Sequence, residues 1–262
     1  MKQRLDVYLV SNGLTKSRER AKELIDRAQV LVNGAPAKKA GQNILDTDKI
    51  EITGEQNPYV SRGGLKLEKA ILTFSLSLSG KTAMDIGAST GGFTDCMLKN
   101  GVLKVYAVDV GSGQLDPILL SDSRVINLEK TNIRYLPQES AEKVDFISID
   151  VSFISLIQVL PAAKAFLKAG GEIAALIKPQ FEAGKKALNK KGVVKDKKVH
   201  LEVVKTILSF AESVGLYAKG LTYSPVRGPE GNIEYLALFS ENAQDKSNIN
   251  AEAVVNESHS VL

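Results

Sequence analysis

Apolar positions along most of the chain alternate between short strand-like runs and amphipathic helical stretches. A helical pattern over Leu65–Leu76 is followed by seven strand-like runs, near residues 82–87, 104–110, 124–128, 144–150, 172–178, 216–223 and 233–239. Helical patterns separate most of these runs, which predicts a doubly wound, mostly parallel sheet. The last two runs are joined by the Pro- and Gly-rich stretch "SPVRGPEGN" without a helix. The last strand is therefore predicted to be antiparallel.

Residues 1–58 have a different pattern, typical of a small helix-plus-hairpin module. In "TKSRERAKELIDRAQ", four apolar residues recur at helical spacing: Ala21, Leu24, Ile25 and Ala28. The runs "VLVNG" and "KIEIT" are β-prone, with turn residues at Asn33-Gly34 and at Asp46. We predict a domain over residues 1–58 that packs separately from the sheet.

Two further segments do not fit either pattern. Pro58 and Gly63-Gly64 interrupt "GEQNPYVSRGG", so residues 59–64 are predicted to be a linker between the small module and a domain over residues 65–241. From residue 242 to 262 the chain is polar and lacks aromatic residues, and we predict that this tail is disordered.

Composition indicates the class of protein and the cellular compartment. With 262 residues, of which 44% are hydrophobic and 24% charged, the chain is typical of a soluble protein with one α/β domain and a small companion. No run approaches the roughly 18 apolar residues of a membrane-spanning helix. The start "MKQRLDVYLV" is unlike a secretory signal, and the single cysteine, Cys96, cannot form an internal disulfide. The expected location is the cytoplasm.

Positive charge is concentrated in two segments. The formal net charge is +4, although the last 22 residues are acidic. Residues 1–40 contain nine Lys or Arg and four Asp or Glu, and residues 178–205 contain nine Lys and three acidic residues. This distribution favours a polyanionic partner, with a solvated flexible loop as the alternative interpretation of the second segment.

The glycine-rich stretch "MDIGASTGGFTD", residues 84–95, predicts a strand, a turn and a helix around a ligand. A phosphate-binding loop would require G-x-x-x-x-G-K-[ST] after a strand, whereas "SGKT" at residues 79–82 precedes the strand and lacks the first glycine. A dinucleotide-binding turn would require G-x-G-x-x-G, and the second glycine of that pattern is absent. Nucleotide hydrolysis is rejected, and a dehydrogenase remains only a weak alternative.

The same turn resembles the S-adenosylmethionine site of class I methyltransferases. It follows a carboxylate at Asp85, and a second carboxylate, Asp109, lies at the tip of the next strand, where it could accept both ribose hydroxyls. Asp109 could otherwise be an ordinary strand-end turn residue. The resemblance implies S-adenosylmethionine as cofactor, bound by Asp85, Gly87, Ala88, Ser89, Gly91, Gly92, Phe93, Asp109 and Val110.

The motif after the fourth strand limits which kinds of atom could accept the methyl group. "FISIDVSFISL" lacks the Asp/Asn-Pro-Pro-aromatic run typical of enzymes that methylate the amino groups of bases. Methylation of pyrimidine carbons usually requires a cysteine nucleophile. Cys96 lies in the predicted helix after the glycine turn, where a small buried residue is the simpler interpretation.

Four charged residues could meet at the carboxyl edge of the sheet, where ligands bind in open α/β folds. They are Lys66, Asp150, Lys178 and Glu234. Their order and spacing resemble the Lys-Asp-Lys-Glu tetrad of FtsJ-like RNA ribose 2′-O-methyltransferases, which implies a ribose 2′-hydroxyl as methyl acceptor. Such a hydroxyl needs a base, and lysine, with an ordinary pKa of about 10.4, can serve once burial and neighbouring cations lower that pKa. We predict Lys178 as the base, with Lys66 and Glu234 orienting it and Asp150 balancing charge. An exposed strand-end lysine and an edge-strand glutamate are the alternatives for Lys178 and Glu234.

The N-terminal module shows a second resemblance, to an RNA-binding domain. The stretches "RLDVYLVSNGLTKSRERAKELIDRAQVLVNG" and "DKIEI" resemble the RNA-binding domain of ribosomal protein S4. In that domain a basic helix binds structured RNA through phosphates and shape. The predicted RNA-binding residues are Arg4, Lys16, Arg18, Arg20, Lys22, Arg62, Lys185 and Lys186.

Together with "VSRGGLKL", "LIKPQFE" and "GNIEYL", the arrangement over about residues 1–240 resembles the TlyA family. That resemblance implies a Rossmann-like class I methyltransferase domain with a seven-stranded sheet and an antiparallel last strand, behind a small α+β RNA-binding domain. It implies methylation of ribosomal RNA at cytidine 2′-oxygens, with the ribosomal RNA or a ribosomal subunit as partner. No metal is expected, because the two histidines, His200 and His259, are not accompanied by cysteines or carboxylates at ligand spacing. Two alternatives stay open: an RNA-binding assembly factor without turnover, and a membrane-lytic protein, which would need an amphipathic insertion element.

Overall fold

The chain forms two compact units, Met1–Gln56 and Asn57–Leu262. The computed structural model describes residues 2–15, 17–26, 28–53 and 57–262. Each unit has its own hydrophobic core. The division lies close to the end of the predicted N-terminal module.

The N-terminal unit consists of short strands and two helices. They are β1 (Lys2–Arg4), α1 (Leu5–Ser11), α2 (Arg18–Asp26), β2 (Val30–Val32), β3 (Ala35–Pro36), β4 (Asn43–Leu45) and β5 (Ile50–Ile52). Strand β1 pairs with β4, and β2 pairs with both β3 and β5, all antiparallel. Asn33 and Gly34 both have positive φ, 53° and 78°, as the tight turn between β2 and β3 requires.

The apolar face of α2 was predicted correctly except at its end. Ala21, Leu24 and Ile25 are buried against Leu5 and Leu9 of α1. Ala28 lies beyond the helix with a φ of 55° and is exposed. The helix therefore ends before the fourth position of the predicted stripe, and the hydrophobic partner of its buried face is α1, which the sequence pattern had not identified.

The C-terminal unit contains a seven-stranded sheet flanked by helices. Its strands are β6 (Thr82–Ile86), β7 (Lys104–Val108), β8 (Val125–Leu128), β9 (Val144–Ile149), β10 (Leu167–Ile177), β11 (Tyr217–Tyr223) and β12 (Tyr235–Ser240). Its helices are α3 (Gly63–Phe74), α4 (Gly92–Lys99), α5 (Pro117–Leu120), α6 (Leu156–Ala165), α7 (Pro179–Glu182), α8 (Lys197–Ser213) and α9 (Ala251–Val261). All seven predicted strands are present.

The strand order is β11-β12-β10-β9-β6-β7-β8. Strands β6 to β10 pair in parallel, whereas β12 is antiparallel to both β10 and β11. The predicted orientation of the last strand is confirmed. Its physical basis is the connection through residues 224–234, which turns the chain back without a crossover helix.

Both faces of the sheet are buried, with alternate residues of each strand in different cores. Phe146 of β9 packs in the core that contains α3 and α4, and Ile147 packs in the core that contains α6, α8 and α9. This double burial explains why the strands are nearly continuous apolar runs in the sequence.

The register of the strands brings several chain segments to one edge. Ile86 at the end of β6 pairs with Ile149 at the end of β9, and Ile177 at the end of β10 pairs with Tyr235 at the start of β12. The residues that follow β6, β9 and β10, and those that precede β12, therefore meet at the carboxyl edge of the parallel strands.

The linker prediction for residues 59–64 is wrong. Gly63 and Gly64 are the first residues of α3, and Tyr59 is only 9% exposed. A side chain on Gly64 would come within 2.2 Å of the Tyr59 ring. Gly64 thus admits the aromatic ring into the core, whereas the sequence pattern had suggested only a chain break.

The disordered tail predicted for residues 242–262 is also contradicted. Helix α9 packs its apolar positions Ala251 and Val255 into the main core, and Asn250 caps it by accepting a hydrogen bond from the Ala253 amide. A few apolar residues at helical spacing, with a capping asparagine, are enough to fold a segment of otherwise polar composition.

Candidate active site

The glycine turn between β6 and α4 lies against the end of β9. Gly87 has a φ of 85°, and a Cβ there would approach the carbonyl oxygen of Asp150 to 2.5 Å. The amides of Gly87 and Ala88 both donate to the carbonyl of Val108. Positive φ and close backbone contact are both required at Gly87, and only glycine meets both at low cost.

The next two glycines of the turn have different neighbours. Gly91 has a φ of 91°, and a Cβ there would come within 2.2 Å of the Leu119 side chain. A Cβ on Gly92 would come within 2.3 Å of Ser61 Oγ. Gly91 therefore permits packing against α5, and Gly92 permits the approach of the segment that precedes α3.

Asp85 lies behind the turn. It is fully buried, and its carboxylate accepts hydrogen bonds from Thr94 Oγ1 at 2.7 Å and Ser148 Oγ at 2.8 Å. Burial raises the pKa of Asp85 to about 6, although both hydroxyls favour its charged form. Asp85 is not among the residues that line the adjacent cleft, so the structure does not bring it to the predicted ligand position.

Asp109 follows β7, as predicted. One carboxylate oxygen accepts the Ser89 amide at 2.8 Å and the other accepts the Gly111 amide at 2.7 Å. The neighbouring Val110 is 70% exposed. Asp109 thus supports the glycine turn directly, but neither Asp109 nor Val110 lines the cleft.

The four predicted charged residues meet at the carboxyl edge. Lys66 Nζ of α3 lies 2.7 Å from Glu234 Oε2 and 3.7 Å from Asp150 Oδ2. Lys178 Nζ lies 2.5 Å from the other oxygen of Asp150. The side chains form a continuous chain of alternating charge from Glu234 through Lys66 and Asp150 to Lys178.

Burial and pairing set the charges in this chain. Lys66, Lys178 and Glu234 are 8%, 7% and 1% exposed. Burial by itself lowers the pKa of Lys66, but Asp150 and Glu234 outweigh it, so the pKa of Lys66 lies above its ordinary value. Burial likewise raises the pKa of Asp150, and the two lysines reverse the effect, so its pKa is lowered. Lys66 is an ammonium and Asp150 a carboxylate at neutral pH.

Two polar residues that the sequence pattern did not identify extend this chain. Lys178 Nζ donates to Ser152 Oγ at 3.1 Å, and Gln180 Nε2 donates to Glu234 Oε1 at 3.0 Å. Ser152 lies in "DVSF" and Gln180 in "KPQFE", within two residues of Asp150 and Lys178 respectively. The sequence offered one signal for these two residues: each lies two positions after a predicted catalytic residue that ends a strand.

These residues border a cleft of about 870 Å³. Its lining includes the four charged residues and five predicted cofactor-binding residues: Gly87, Ala88, Ser89, Gly92 and Phe93. Gly91, Asp85, Asp109 and Val110 are not part of the lining.

An aromatic pair stands at the same cleft. Phe153 is 91% exposed and has a φ of 63°, and its ring centroid lies 4.9 Å from that of Phe181. Left-handed φ at a bulky residue is uncommon and is held only where neighbouring structure enforces it. The sequence pattern did not single out either ring.

Of the eight predicted RNA-binding residues, the structure describes four in the N-terminal unit and three in the C-terminal unit. In the N-terminal unit, the buried carboxylate of Asp6 accepts hydrogen bonds from Arg4 and Arg18, and the pKa of Asp6 is strongly lowered, chiefly by the Arg4 contact. In the C-terminal unit, Arg62 and Lys185 line the cleft and Lys186 is exposed. Arg20 and Lys22 lie on α2, whereas Lys16 lies outside the described residues.

The cleft fits a methyl donor of the size and charge of S-adenosylmethionine. Its volume is within the range of small-molecule sites. Gly87, which packs against the backbone carbonyl of Asp150, and Asp150 itself both line the cleft, and a ligand bearing ammonium and sulfonium groups favours a site with a carboxylate. S-adenosylmethionine is the expected cofactor.

The fold and cleft define a Rossmann-like methyltransferase with a separate N-terminal unit. Residues 59–240 match the FtsJ-like methyltransferase family and residues 3–50 match the S4 domain. The chain belongs to the FtsJ-like methyltransferase family, and within it to the group of TlyA-like proteins that also carry an S4 domain.

Three similar proteins illustrate the relationship. A candidate rRNA methyltransferase of Bacillus subtilis, YqxC, is 48% identical over 90% of this chain and 84% of its own. The 16S/23S rRNA (cytidine-2′-O)-methyltransferase TlyA of Mycobacterium tuberculosis is 41% identical over 88% of this chain and 87% of its own. The solved structure of a candidate hemolysin from Streptococcus thermophilus is 43% identical, with a TM-score of 0.81 over 99% of this chain and 96% of its own.

Among the residues that the structure describes, no helix is both long enough and apolar enough to span a membrane.

Proposed function

We propose that this protein transfers the methyl group of S-adenosylmethionine to the 2′-oxygen of a ribose, in a cytidine of ribosomal RNA. The observation that carries the proposal is the buried chain of Glu234, Lys66, Asp150 and Lys178 beside the glycine turn. The M. tuberculosis relative, described as a 16S/23S rRNA (cytidine-2′-O)-methyltransferase, supports the choice of acceptor.

Lys178 is the proposed general base. S-adenosylmethionine supplies an electrophilic methyl group on a sulfonium, and the ribose oxygen that attacks it must lose its proton. Lys66 is the poorer candidate for that proton because two carboxylates hold it as an ammonium. Lys178 contacts one carboxylate and the Ser152 hydroxyl. Of the two lysines, Lys178 is therefore the better placed to accept the hydroxyl proton at Nζ.

The other members of the chain position this base. Glu234 anchors Lys66, and Lys66 contributes a fixed positive charge 3.7 Å from Asp150. Asp150 contacts both lysines and offsets positive charge close to the glycine turn. Holding donor, acceptor and base in line supplies a large part of the rate enhancement in such reactions.

RNA binding is proposed for both units. The S4-like unit presents Arg4 and Arg18 beside Asp6, with Arg20 and Lys22 on α2. In the C-terminal unit, Arg62 and Lys185 at the cleft and Lys186 nearby could contact phosphates. The exposed ring of Phe153 suits stacking on an unpaired base, which is how many proteins hold single-stranded RNA.

The direct test maps 2′-O-methyl groups in ribosomal RNA from cells with and without the gene. We expect at least one cytidine to lose its modification in the absence of the gene. Purified protein with S-adenosylmethionine should restore it on ribosomal subunits isolated from the deficient cells. Unchanged methylation maps, together with retained RNA binding, would favour an assembly factor without turnover.

A pair of lysine-to-arginine variants tests the roles of the two lysines. Arginine keeps the positive charge but does not lose its proton in proteins, so it cannot act as a base. Lys178→Arg should abolish methyl transfer while cofactor and RNA affinities stay near those of the wild type. Lys66→Arg, which keeps a cation beside Glu234, should retain partial activity. Unimpaired transfer by Lys178→Arg would exclude Lys178 as the base.

A further inference from the structure

Gln180 occupies a special position relative to the four charged residues. It lies in α7, which begins immediately after Lys178, and it lines the cleft. Its side-chain Nε2 donates to Glu234 Oε1 at 3.0 Å, while Lys66 donates to Glu234 Oε2 at 2.7 Å. Both oxygens of the buried Glu234 carboxylate are therefore held, each by a different element of the fold.

The orientation of the Gln180 amide is determined by Glu234. A carboxylate can only accept hydrogen bonds, so the NH₂ group must face it and the carbonyl must point away. In that orientation Gln180 Oε1 is buried and accepts no hydrogen bond from the residues that the structure describes. Among the described residues, the hydrogen bond that orients this side chain is therefore the one to Glu234.

We propose that Gln180 is a positioning residue for methyl transfer, which acts by holding Glu234 and, through Glu234, Lys66. The proposal rests on the function proposed above. The Lys66–Asp150 contact is 3.7 Å long and cannot fix the lysine as firmly as the 2.7 Å contact with Glu234. A Glu234 side chain that lost one of its two anchors could rotate and carry the Lys66 ammonium away from Asp150.

The location of Gln180 also connects the proposed base, Lys178, to Glu234 at the other end of the row of alternating charges. Lys178 and Gln180 are separated by one buried residue, Pro179. The short segment therefore contacts Asp150 through Lys178 and Glu234 through Gln180, at opposite ends of the chain of charges. The positions of the base and of Glu234 therefore both depend on this one segment.

Gln180→Met tests this inference, because methionine keeps the length and much of the volume of glutamine but lacks both the donor and the buried carbonyl. We expect kcat to fall about 10- to 100-fold, as small displacements of catalytic groups do. The KM for RNA and the affinity for S-adenosylmethionine should stay within about twofold of wild type. The melting temperature should fall somewhat, because the buried Glu234 Oε1 loses its donor, so kcat is measured at a temperature where the variant is fully folded. A purely structural role would lower the melting temperature and leave kcat unchanged.

Gln158→Met on α6 is a matched control, since Gln158 is exposed and accepts a hydrogen bond from Arg134 away from the cleft. Gln180→Asn, which keeps an amide too short to reach Glu234, should reproduce the loss of kcat if the methionine variant fails to fold. Wild-type kcat in a folded Gln180 variant would overturn this inference alone. Absence of methyl transfer by the wild-type protein in the same assay would overturn it together with the proposed function.

Discussion

Two buried aspartates at the carboxyl edge have opposite electrostatic environments. Asp150 contacts two lysines, and its pKa is lowered despite burial. Among the described residues, the groups that shift the pKa of Asp85 include no cation: Asp85 accepts hydrogen bonds from the hydroxyls of Thr94 and Ser148, and burial raises its pKa to about 6. Hydroxyl donors do not offset the desolvation of a carboxylate as two cations do. Asp85 therefore weakens the fold when it ionises, whereas Asp150 is stabilised as an anion.

The pH dependence of stability should reveal the raised pKa of Asp85. The folded protein holds this proton up to about pH 6, whereas the unfolded chain releases it near pH 3.8. Because the folded state binds more protons in that window, stability falls as pH rises from about 4 to about 6. Asp85→Asn does not titrate, and its amide can still pair with both hydroxyls. The unfolding free energy of the variant minus that of the wild type should thus increase, by an amount on the order of 3 kcal/mol.

Urea unfolding of the two proteins at several pH values between 4 and 7 measures this difference. Subtracting the wild-type curve removes the contributions of all other titrating groups that the substitution leaves alone. A difference that stays constant from pH 4 to pH 7 would contradict the raised pKa.

Gly87 and Gly80 allow backbone strain to be separated from steric contact. Their φ values are 85° and 78°, but a Cβ on Gly87 would approach the Asp150 carbonyl to 2.5 Å, whereas Gly80 has nothing within 4 Å of that position. Both alanine variants should lose roughly 1–2 kcal/mol of stability from the left-handed backbone. Only Gly87→Ala should also displace Asp150 and so lower both S-adenosylmethionine affinity and methyl transfer. Equal affinities and rates in the two variants would show that the contact has no effect on the site.

At the scale of elements, the sequence pattern predicted the sheet well because buried parallel strands leave a clear apolar signature. The charged site was predictable for the same reason. Asp150 and Lys178 directly follow such strands, and the carboxyl ends of parallel strands share an edge. Ser152 and Gln180 lie on short segments whose side-chain directions depend on tertiary contacts, and no periodicity reports those.

The elements that the pattern missed depend on long-range packing. Helix α1 has only seven residues, and its burial depends on α2. Tyr59 is buried only because Gly64 leaves room for its ring, so the Gly-Gly pair marks a packing contact and not a linker. Helix α9 packs through two buried apolar residues, Ala251 and Val255, and two such positions in a polar sequence give no recognisable helical pattern until their packing partners are known.

The docking of α9 places two histidines against each other. His200 of α8 and His259 of α9 have ring centroids 4.7 Å apart, and His200 bonds the Tyr235 hydroxyl, which in turn contacts Ser258. Burial lowers the pKa of both histidines. For His259, protonation of His200 and the positive charges of Lys197 and Arg227 lower the pKa further. For His200, the Val194 carbonyl and Asp196 act in the opposite direction on the pKa without outweighing burial. Both imidazoles are therefore neutral when α9 is docked.

This arrangement predicts that α9 loosens in acid. A histidine whose folded pKa is lowered stabilises the fold above its ordinary pKa near 6.5, and that stability is lost as the pH falls below it. After correction for intrinsic rates, amide hydrogen exchange in α9 should be faster at pH 5.5 than at pH 7.5. Helix α6 is an internal reference, and His259→Gln should reduce the difference between the two pH values. Equal protection of α9 at both pH values would contradict the prediction.

At the scale of the whole molecule, positive charge is present in both compact units. The N-terminal unit has its arginines and lysines on and near α2, and the C-terminal unit has a lysine-rich segment after β10 that includes the cleft residue Lys185. If both units bind the same RNA, their phosphate contacts should contribute separately to the salt dependence of affinity.

The salt dependence of RNA affinity tests this two-unit interaction in the full-length protein. Each neutralised phosphate steepens the slope of log affinity against log salt by about 0.7 to 0.9, and removing one contact reduces it by about 1 at most. Arg18→Gln combined with Lys22→Gln should lower the slope by the contribution of the N-terminal unit. Lys185→Gln combined with Lys186→Gln should lower it by the contribution of the C-terminal unit. The variant with all four substitutions should lower it by the sum of these two contributions. Lys104→Gln with Lys143→Gln, away from the predicted interface, is the charge-matched control. A wild-type affinity that barely changes with salt would reject phosphate binding, and a combined effect no larger than that of either pair would show that only one unit binds the RNA.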